Sequence, residues 1–264
     1  MRVERSPYLS EAIGISRGDL VAFVGAGGKT GAILALVGEL SSAGWTVLAS
    51  TTTRVGGRMG SAMPVIQAGA EVGETERIHA EGRIAEALRA HGSALLVSGE
   101  TRDRKLAGVS PRWLTELRSS RIADAVLVEA DGARQRSLKL PGEHEPVIPG
   151  GSDIVVPIAG LDVLGQEIGE LTAHRPLLVR AYAGSSQISG DLLVRILTDA
   201  SAGLKGLPPG ARCVPMLTRV QETSADAPLE IASGILARRP DRIERVVLAD
   251  LRRSGYAVVR RTGR

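Results

Sequence analysis

The stretch Gly25-Ala26-Gly27-Gly28-Lys29-Thr30 constrains this chain more than any other. It stands directly after an aliphatic run, Leu20–Val24, and directly before a helical pattern, Thr30–Ala43. Glycines between a strand and a helix let the backbone curl, so that several N–H groups converge where the helix also carries its partial positive charge. Such a turn cradles phosphate. Lys29 is placed to reach a terminal phosphate, and the Thr30 hydroxyl to ligate Mg2+. The longer consensus has another glycine five residues before Gly28, where this chain has Phe23, so the match is the shorter Gly-x-x-Gly-Lys-Thr form. A dinucleotide turn is the competing use of Gly25 and Gly27. It fails twice: Thr30 stands where its third glycine belongs, and the next strand ends in Ser50-Thr51 rather than an acid.

The same alternation of short apolar runs and longer helical patterns continues along the chain. Further strands are expected at Thr46–Ser50, Ala94–Ser98, Ala125–Glu129, Ile154–Ile158, Val214–Leu217 and Val246–Ala249, and further helices at Glu74–His91, Pro111–Ser119, Gly190–Ala200 and Ala227–Arg239. This predicts an α/β fold of P-loop type, a three-layer αβα sandwich with a mostly parallel central sheet. The expectation is one α/β nucleotide-binding domain over residues 1–264, with a candidate lobe boundary in the Pro/Gly-rich loop 140–152.

Composition narrows the partners. With 43% hydrophobic residues the chain fills a sizeable core, yet no apolar run approaches the roughly 20 residues needed to span a bilayer. The opening Met1-Arg2-Val3-Glu4-Arg5 alternates charge and lacks the apolar block of a secretion signal, so no membrane partner and a cytoplasmic location are expected. The single cysteine, Cys213, excludes an internal disulfide and a thiolate-rich metal centre, and reads as a core residue. The formal charge of +4 suits nucleic acid, but with 2% aromatic residues and no dense Lys/Arg block a nucleic-acid surface is not expected, and a small phosphorylated ligand fits better. Among 33 basic residues only Lys29, Lys105, Lys139 and Lys205 are lysines, so a lysine inside a glycine turn stands out.

Phosphoryl chemistry calls for a carboxylate near the metal, at the end of a neighbouring buried strand. Val126-Leu127-Val128 is continuously apolar, as expected for a central strand, and Glu129 and Asp131 follow it. If the strand runs on, alternation puts both carboxylates on one side, where they serve the metal and the attacking group; the alternative is that they cap the next turn. Thr51, Thr52 and Thr53 close the second strand, where hydroxyls either touch phosphate or metal or bond their own turn. Arg54 and Arg58 just beyond either counter phosphate charge or, the reading favoured, stand as solvated loop residues. The proline-framed loop from Lys139 to Pro149 carries Lys139, His144 and Glu145 and is either a site for a second ligand or a rigid connector. His174-Arg175-Pro176 either meets an anion or starts a helix at the proline.

These segments together resemble the selenium-dependent hydroxylase accessory proteins, the YqeC-like family. The resemblance runs from the glycine turn and Thr51–Thr53 through Lys105-Leu106-Ala107-Gly108, Val128-Glu129-Ala130-Asp131-Gly132-Ala133, Lys139-Leu140-Pro141 and His144–Pro149, and on through Gly160–Gly165, His174-Arg175-Pro176 and Gly203–Gly206. It implies a P-loop nucleotide-binding fold using Mg2+ with ATP or GTP, and a role in maturing molybdenum hydroxylases, with such an enzyme or its maturation proteins as partners. One departure stands out. Near Leu217 the family pattern is an Asn-Lys-x-Asp element of the type that reads guanine, whereas this chain has Thr218-Arg219-Val220-Gln221. The carboxylate that accepts guanine N–H groups is missing, which puts ATP beside GTP. An ATP-dependent ligase or small-molecule kinase, suggested by likeness of the turn to that of the Mur ligases, and a non-catalytic cofactor-binding or docking module are the competing functions.

Overall fold

The structure, a computed structural model, describes residues 1–56, 58–69, 73–223, 226–239 and 241–262. Its main sheet contains the strands β1 (Arg2–Ser6), β2 (Asp19–Gly25), β3 (Val47–Thr51), β4 (Val65–Gln67), β5 (Ser93–Val97), β6 (Ala125–Glu129), β7 (Ile154–Gly160), β8 (Met216–Thr218), β9 (Arg245–Asp250) and β10 (Gly255–Arg260). They lie in the order β1-β10-β9-β8-β7-β2-β6-β3-β5-β4, with the short strand Arg212–Cys213 also paired to β7. All neighbours from β9 to β4 are parallel; β10 alone runs against the rest, pairing antiparallel with β9 on one side and with the edge strand β1 on the other.

Strand alternation explains the layers. Val21 and Phe23 of β2 point to one face, where they pack with the helices α1 (Leu9–Ile13) and α2 (Lys29–Ser42). Leu20 points to the other, where α3 (Glu74–His91) and α4 (Pro111–Ser119) cover β3, β5 and β6. The same face beyond β7 is covered by α5 (Pro176–Ala183), α6 (Gly190–Thr198) and α7 (Ala227–Arg238). The fold is therefore the expected three-layer α/β arrangement. The crossover from β6 to β7 passes β2, so β2 ends between two strands whose connections diverge, and ligands of open parallel sheets collect at such carboxyl ends.

Loop 140–152 makes that crossover. It lies across the ends of β3 and β6: the Val147 N–H donates to the Ala130 carbonyl at 2.9 Å, and the Thr52 hydroxyl to the Val147 carbonyl at 2.7 Å. No helix of the described residues is long and apolar enough to cross a membrane.

Candidate functional site

The glycine turn joins β2 to α2 with backbone angles that L side chains resist. Gly25, Gly27 and Gly28 have φ of +87°, +95° and +144°. A Cβ on Gly25 would stand 2.4 Å from the Ile158 carbonyl oxygen, and one on Gly27 would stand 2.4 Å from the Gly160 nitrogen. Glycine is thus required twice over, by conformation and by the close approach of β7. No side chain caps the first turn of α2 and no acidic residue lies in it, which leaves its leading N–H groups for an anion.

Lys29 is buried. Its ammonium donates to the Gly25 carbonyl at 2.5 Å, lies 3.0 Å from Asp131 Oδ1 and 3.9 Å from Glu129 Oε1. The Thr30 hydroxyl donates to Glu129 Oε2 at 2.7 Å. The predicted pairing of both carboxylates at the turn is therefore present, but by another route. Strand β6 ends at Glu129, so alternation does not deliver Asp131; the chain turns, and Asp131 meets the lysine from alongside. Asp131 Oδ2 accepts the Gly25 N–H at 3.0 Å, while its Oδ1 is buried beside Lys29 and accepts no well-directed hydrogen bond. Burial pushes the Glu129 carboxyl above its ordinary range, against the pull of Lys29 and the Thr30 hydroxyl.

Asp131 also binds a second lysine. Lys139 Nζ lies 3.0 Å from Asp131 Oδ2 and donates to Glu145 Oε2 at 2.8 Å and to the Gly132 carbonyl at 2.6 Å, so its three N–H groups meet three acceptors. Arg175 completes the line, donating to Glu145 Oε2 at 2.6 Å. Burial would raise the Glu145 carboxyl, but the hydrogen bonds from Arg175 and Lys139 outweigh it and carry the group down to about 2. Lys205 holds the same loop from beyond, donating to the Gly142 and Glu143 carbonyls. Three of the four lysines thus gather on the turn and its crossover loop. A compact ammonium with three tetrahedral donors fits convergent oxygens that a planar guanidinium does not. The structure places Lys139 inside and His144 at the surface.

The threonines divide. The Thr51 hydroxyl is taken by the Glu129 carbonyl at 2.9 Å, with Thr53 O at 3.1 Å, and that of Thr52 by Val147; Thr53 Oγ1 is buried with no partner. Gly108 packs on this segment so closely that a Cβ would stand 2.4 Å from the Thr52 carbonyl carbon.

A buttress behind the turn was not legible in the sequence. Thr218 Oγ1 donates to the Gly27 carbonyl at 2.5 Å. Arg219 binds Asp162 and donates to Ser137 Oγ at 2.8 Å, and the Ser137 carbonyl accepts the Gly160 N–H at 2.9 Å. Of the residues standing in the guanine-reading pattern, Thr218 therefore holds the glycine turn itself, and Arg219 the Ser137–Asp162 pair behind it. Cys213 is buried, which pushes its thiol up to about 12 and keeps it un-ionised at neutral pH.

A glycine turn with a buried lysine, a hydroxyl paired to a carboxylate, and a position at the carboxyl end of the central strand define the P-loop class of nucleotide-binding folds. Within that class the chain belongs to the YqeC family, whose model, described as YqeC protein, matches residues 21–177, more than half of the sequence. The span includes Lys29, Glu129, Asp131, Lys139, Glu145 and Arg175. The chain is 28% identical over 211 residues to "Uncharacterized protein YqeC" of Escherichia coli (strain K12), a match covering 78% of each. Among solved structures, it is similar to chloroplast FtsY from Physcomitrella patens, with TM-score 0.43, 13% identity and coverage of 89% of this chain and 59% of that one. A GTPase in apo form from Pyrococcus abyssi gives TM-score 0.37, 14% identity and coverage of 90% and 92%.

Proposed function

We propose that the chain binds a magnesium nucleoside triphosphate at Gly25–Thr30 and cleaves its terminal anhydride. Water adds to the terminal phosphorus, the bond from that phosphorus to the bridging oxygen breaks, and inorganic phosphate and the nucleoside diphosphate leave. The observation that carries this reading is the grouping of Lys29, Glu129 and Asp131 at the start of an uncapped helix, with Thr30 bonded to Glu129.

The backbone of Gly25, Ala26, Gly27 and Gly28 wraps the phosphates. Lys29 exchanges the Gly25 carbonyl for a phosphate oxygen and keeps Asp131 as its counter-ion. Glu129, whose carboxyl is raised by burial and whose Oε2 already accepts the Thr30 hydroxyl, orients the attacking water and takes its proton.

The donor set fits Mg2+. The oxygens of Thr30, Glu129 and Asp131 are hard ligands, and Asp131 Oδ1 is a buried oxygen that accepts no well-directed hydrogen bond. Mg2+ ordinarily takes one or two protein oxygens and fills its other positions with water and phosphate. When bound it supplies charge neutralisation on the phosphates.

Calorimetry with ATP and with GTP, each with Mg2+, tests the site. We expect saturable binding of at least one nucleotide, weakened at least tenfold in Lys29→Ala, and slow phosphate release that this variant loses. Absence of binding at millimolar nucleotide by folded wild-type protein would remove the whole reading; binding without phosphate release would remove the hydrolytic step alone. Service to a molybdenum hydroxylase rests on the family resemblance. It predicts that such an enzyme, produced beside the Lys29→Ala variant, lacks activity that wild type restores.

A further inference from the structure

Between the two arms of the site runs a turn that the function above leaves unused. In Ala133-Arg134-Gln135-Arg136 the Arg136 N–H donates to the Ala133 carbonyl at 3.0 Å, and Arg134 and Gln135 have φ of +46° and +61°. Two successive left-handed residues make the tight turn that ordinarily takes Asn or Gly, because a Cβ at such angles crowds the backbone. Here both positions carry long side chains, so the conformation persists only because its ends are fixed.

One end is fixed on the glycine turn and the other on β7 beside it. On the leading side, Asp131 is held by Lys29 and by the Gly25 N–H, and the Gly132 carbonyl by Lys139. On the trailing side, the Ser137 carbonyl accepts the Gly160 N–H and lies 3.1 Å from where a Cβ on Gly27 would stand. The turn therefore bridges the phosphate loop from its lysine to its middle glycine, with Arg134 exposed near its apex.

The guanidinium groups of Arg134 and Arg136 make no hydrogen bond or ion pair among the described residues, and of the two Arg134 is the exposed one at the apex; Arg175 is committed to Glu145, Arg219 to Asp162, and Lys139 to Asp131 and Glu145. Its surroundings carry both signs, since Lys139 and Arg175 are paired with Asp131 and Glu145. Burial, then Arg175, Lys139 and Arg134, hold His174 below its ordinary range, with Glu145 opposing. An exposed guanidinium without a partner, held at the apex of a strained turn that is anchored beside the phosphate loop, is available to an anion bound there.

We propose that Arg134 contacts the terminal phosphate of the bound nucleoside triphosphate, as an arginine supplied by the chain to its own site. This rests on the nucleotide reading above and adds to it the group that neutralises charge on the transferred phosphoryl oxygens.

The test compares non-hydrolysable triphosphate analogues with diphosphates, of adenosine and of guanosine, by calorimetry with Mg2+ on the full chain. Arg134→Ala is expected to lower affinity for the triphosphate analogue about tenfold, the scale of one charge-assisted hydrogen bond, and to leave diphosphate affinity within about twofold. Arg134→Gly relieves the backbone and is expected to show the same loss at an equal or higher melting temperature, which separates a ligand contact from a structural one. Arg89→Ala, at the far end of α3 beside the opposite edge of the sheet, controls for net charge. Unchanged triphosphate affinity overturns the proposal, as does an equal loss for triphosphate and diphosphate, or a selective loss in Arg136→Ala in place of Arg134→Ala. Wild-type protein that binds neither nucleotide removes the underlying site, and this inference with it. Wild-type binding with no selective effect removes only Arg134.

Discussion

Glu129 shows how a residue chosen for chemistry works against the fold that carries it. Its carboxylate is buried, with Lys29 3.9 Å away and one hydrogen bond from Thr30, so little offsets the loss of water around the charge. Burial raises its folded-state value above the unfolded one, so the folded chain holds that proton more tightly. The ionised form costs stability at neutral pH, and the cost is relieved as the pH falls toward the unfolded value. Glu145 has the opposite sign. Held down to about 2, it contributes stability above the ordinary carboxylate range and loses it as the pH falls through about 2. We therefore expect Glu129→Gln, which keeps an acceptor for Thr30, to raise the melting temperature of the ligand-free protein by about 2–4 °C for a gain of about 1 kcal/mol, with phosphate release lost. The gain should be smaller at pH 5 than at pH 8, because the wild-type carboxyl, raised above its ordinary range, holds more of its proton at the lower pH. Calorimetric melting at both pH values measures this. A lower melting temperature for the variant at pH 8 would mean that attraction to Lys29 outweighs burial.

At the scale of elements, glycines that look alike in sequence carry different loads. Gly27 in the β2–α2 turn has positive φ and no room for a methyl group, whereas Gly38 lies inside α2 with nothing within 4 Å of an added Cβ. Gly27→Ala should distort the turn, destabilise the chain and lower nucleotide affinity at least tenfold. Gly38→Ala should stabilise it by about 1 kcal/mol, the ordinary helix gain, and leave affinity unchanged. Denaturant midpoints and nucleotide titration on the pair separate the two effects; matching stability changes would show that backbone conformation is not what selects glycine in the turn. The contrast bears on what the sequence discloses. Elements with a full period of pattern are legible: β6, α3 and α4 have the bounds expected from their residues, and the strand, turn and helix around Lys29 give the site. The edge strand β1 sets one valine among charged residues, β10 follows β9 across a tight turn with no helix between them, and α1 and β4 are too short to show a period, so none of them announces itself. Lys139 and Arg175 meet across Glu145 because the two-residue strands Leu138–Lys139 and Ala173–His174 pair in parallel, a contact between segments 35 residues apart in register that no local pattern encodes. Arg134 left one trace in the sequence, its place three residues beyond Asp131, but its significance lies in a backbone angle.

Across the whole molecule, the charges at the phosphate turn do not end there. Lys29 to Asp131, Asp131 to Lys139, Lys139 to Glu145 and Glu145 to Arg175 are separated by 3.0, 3.0, 2.8 and 2.6 Å, a line of alternating sign from α2 through the crossover loop to the residue that precedes α5. Each internal member divides its attraction between two neighbours. When Lys29 turns part of its charge to an incoming phosphate, Asp131 is left to lean more on Lys139, and Lys139 in turn holds Glu145 less tightly. The interior screens such shifts poorly, because Lys139 and Asp131 are shielded from water. At the far end Arg175 sits in a left-handed conformation beside Leu171 and Leu177, which are 85% and 77% exposed. A ligand at the turn should therefore register at α5, and such a claim needs evidence of coupling rather than proximity. Hydrogen exchange with and without magnesium nucleotide supplies it. We expect protection in residues 25–31, where phosphate engages the N–H groups, together with altered exchange in residues 138–147 and 173–180. In Lys139→Met, which removes the middle cation, the response at 173–180 should vanish while that at 25–31 persists in weaker form. Exchange that changes only at the turn in wild type would make the line of charges a static brace, and nucleotide binding a local event.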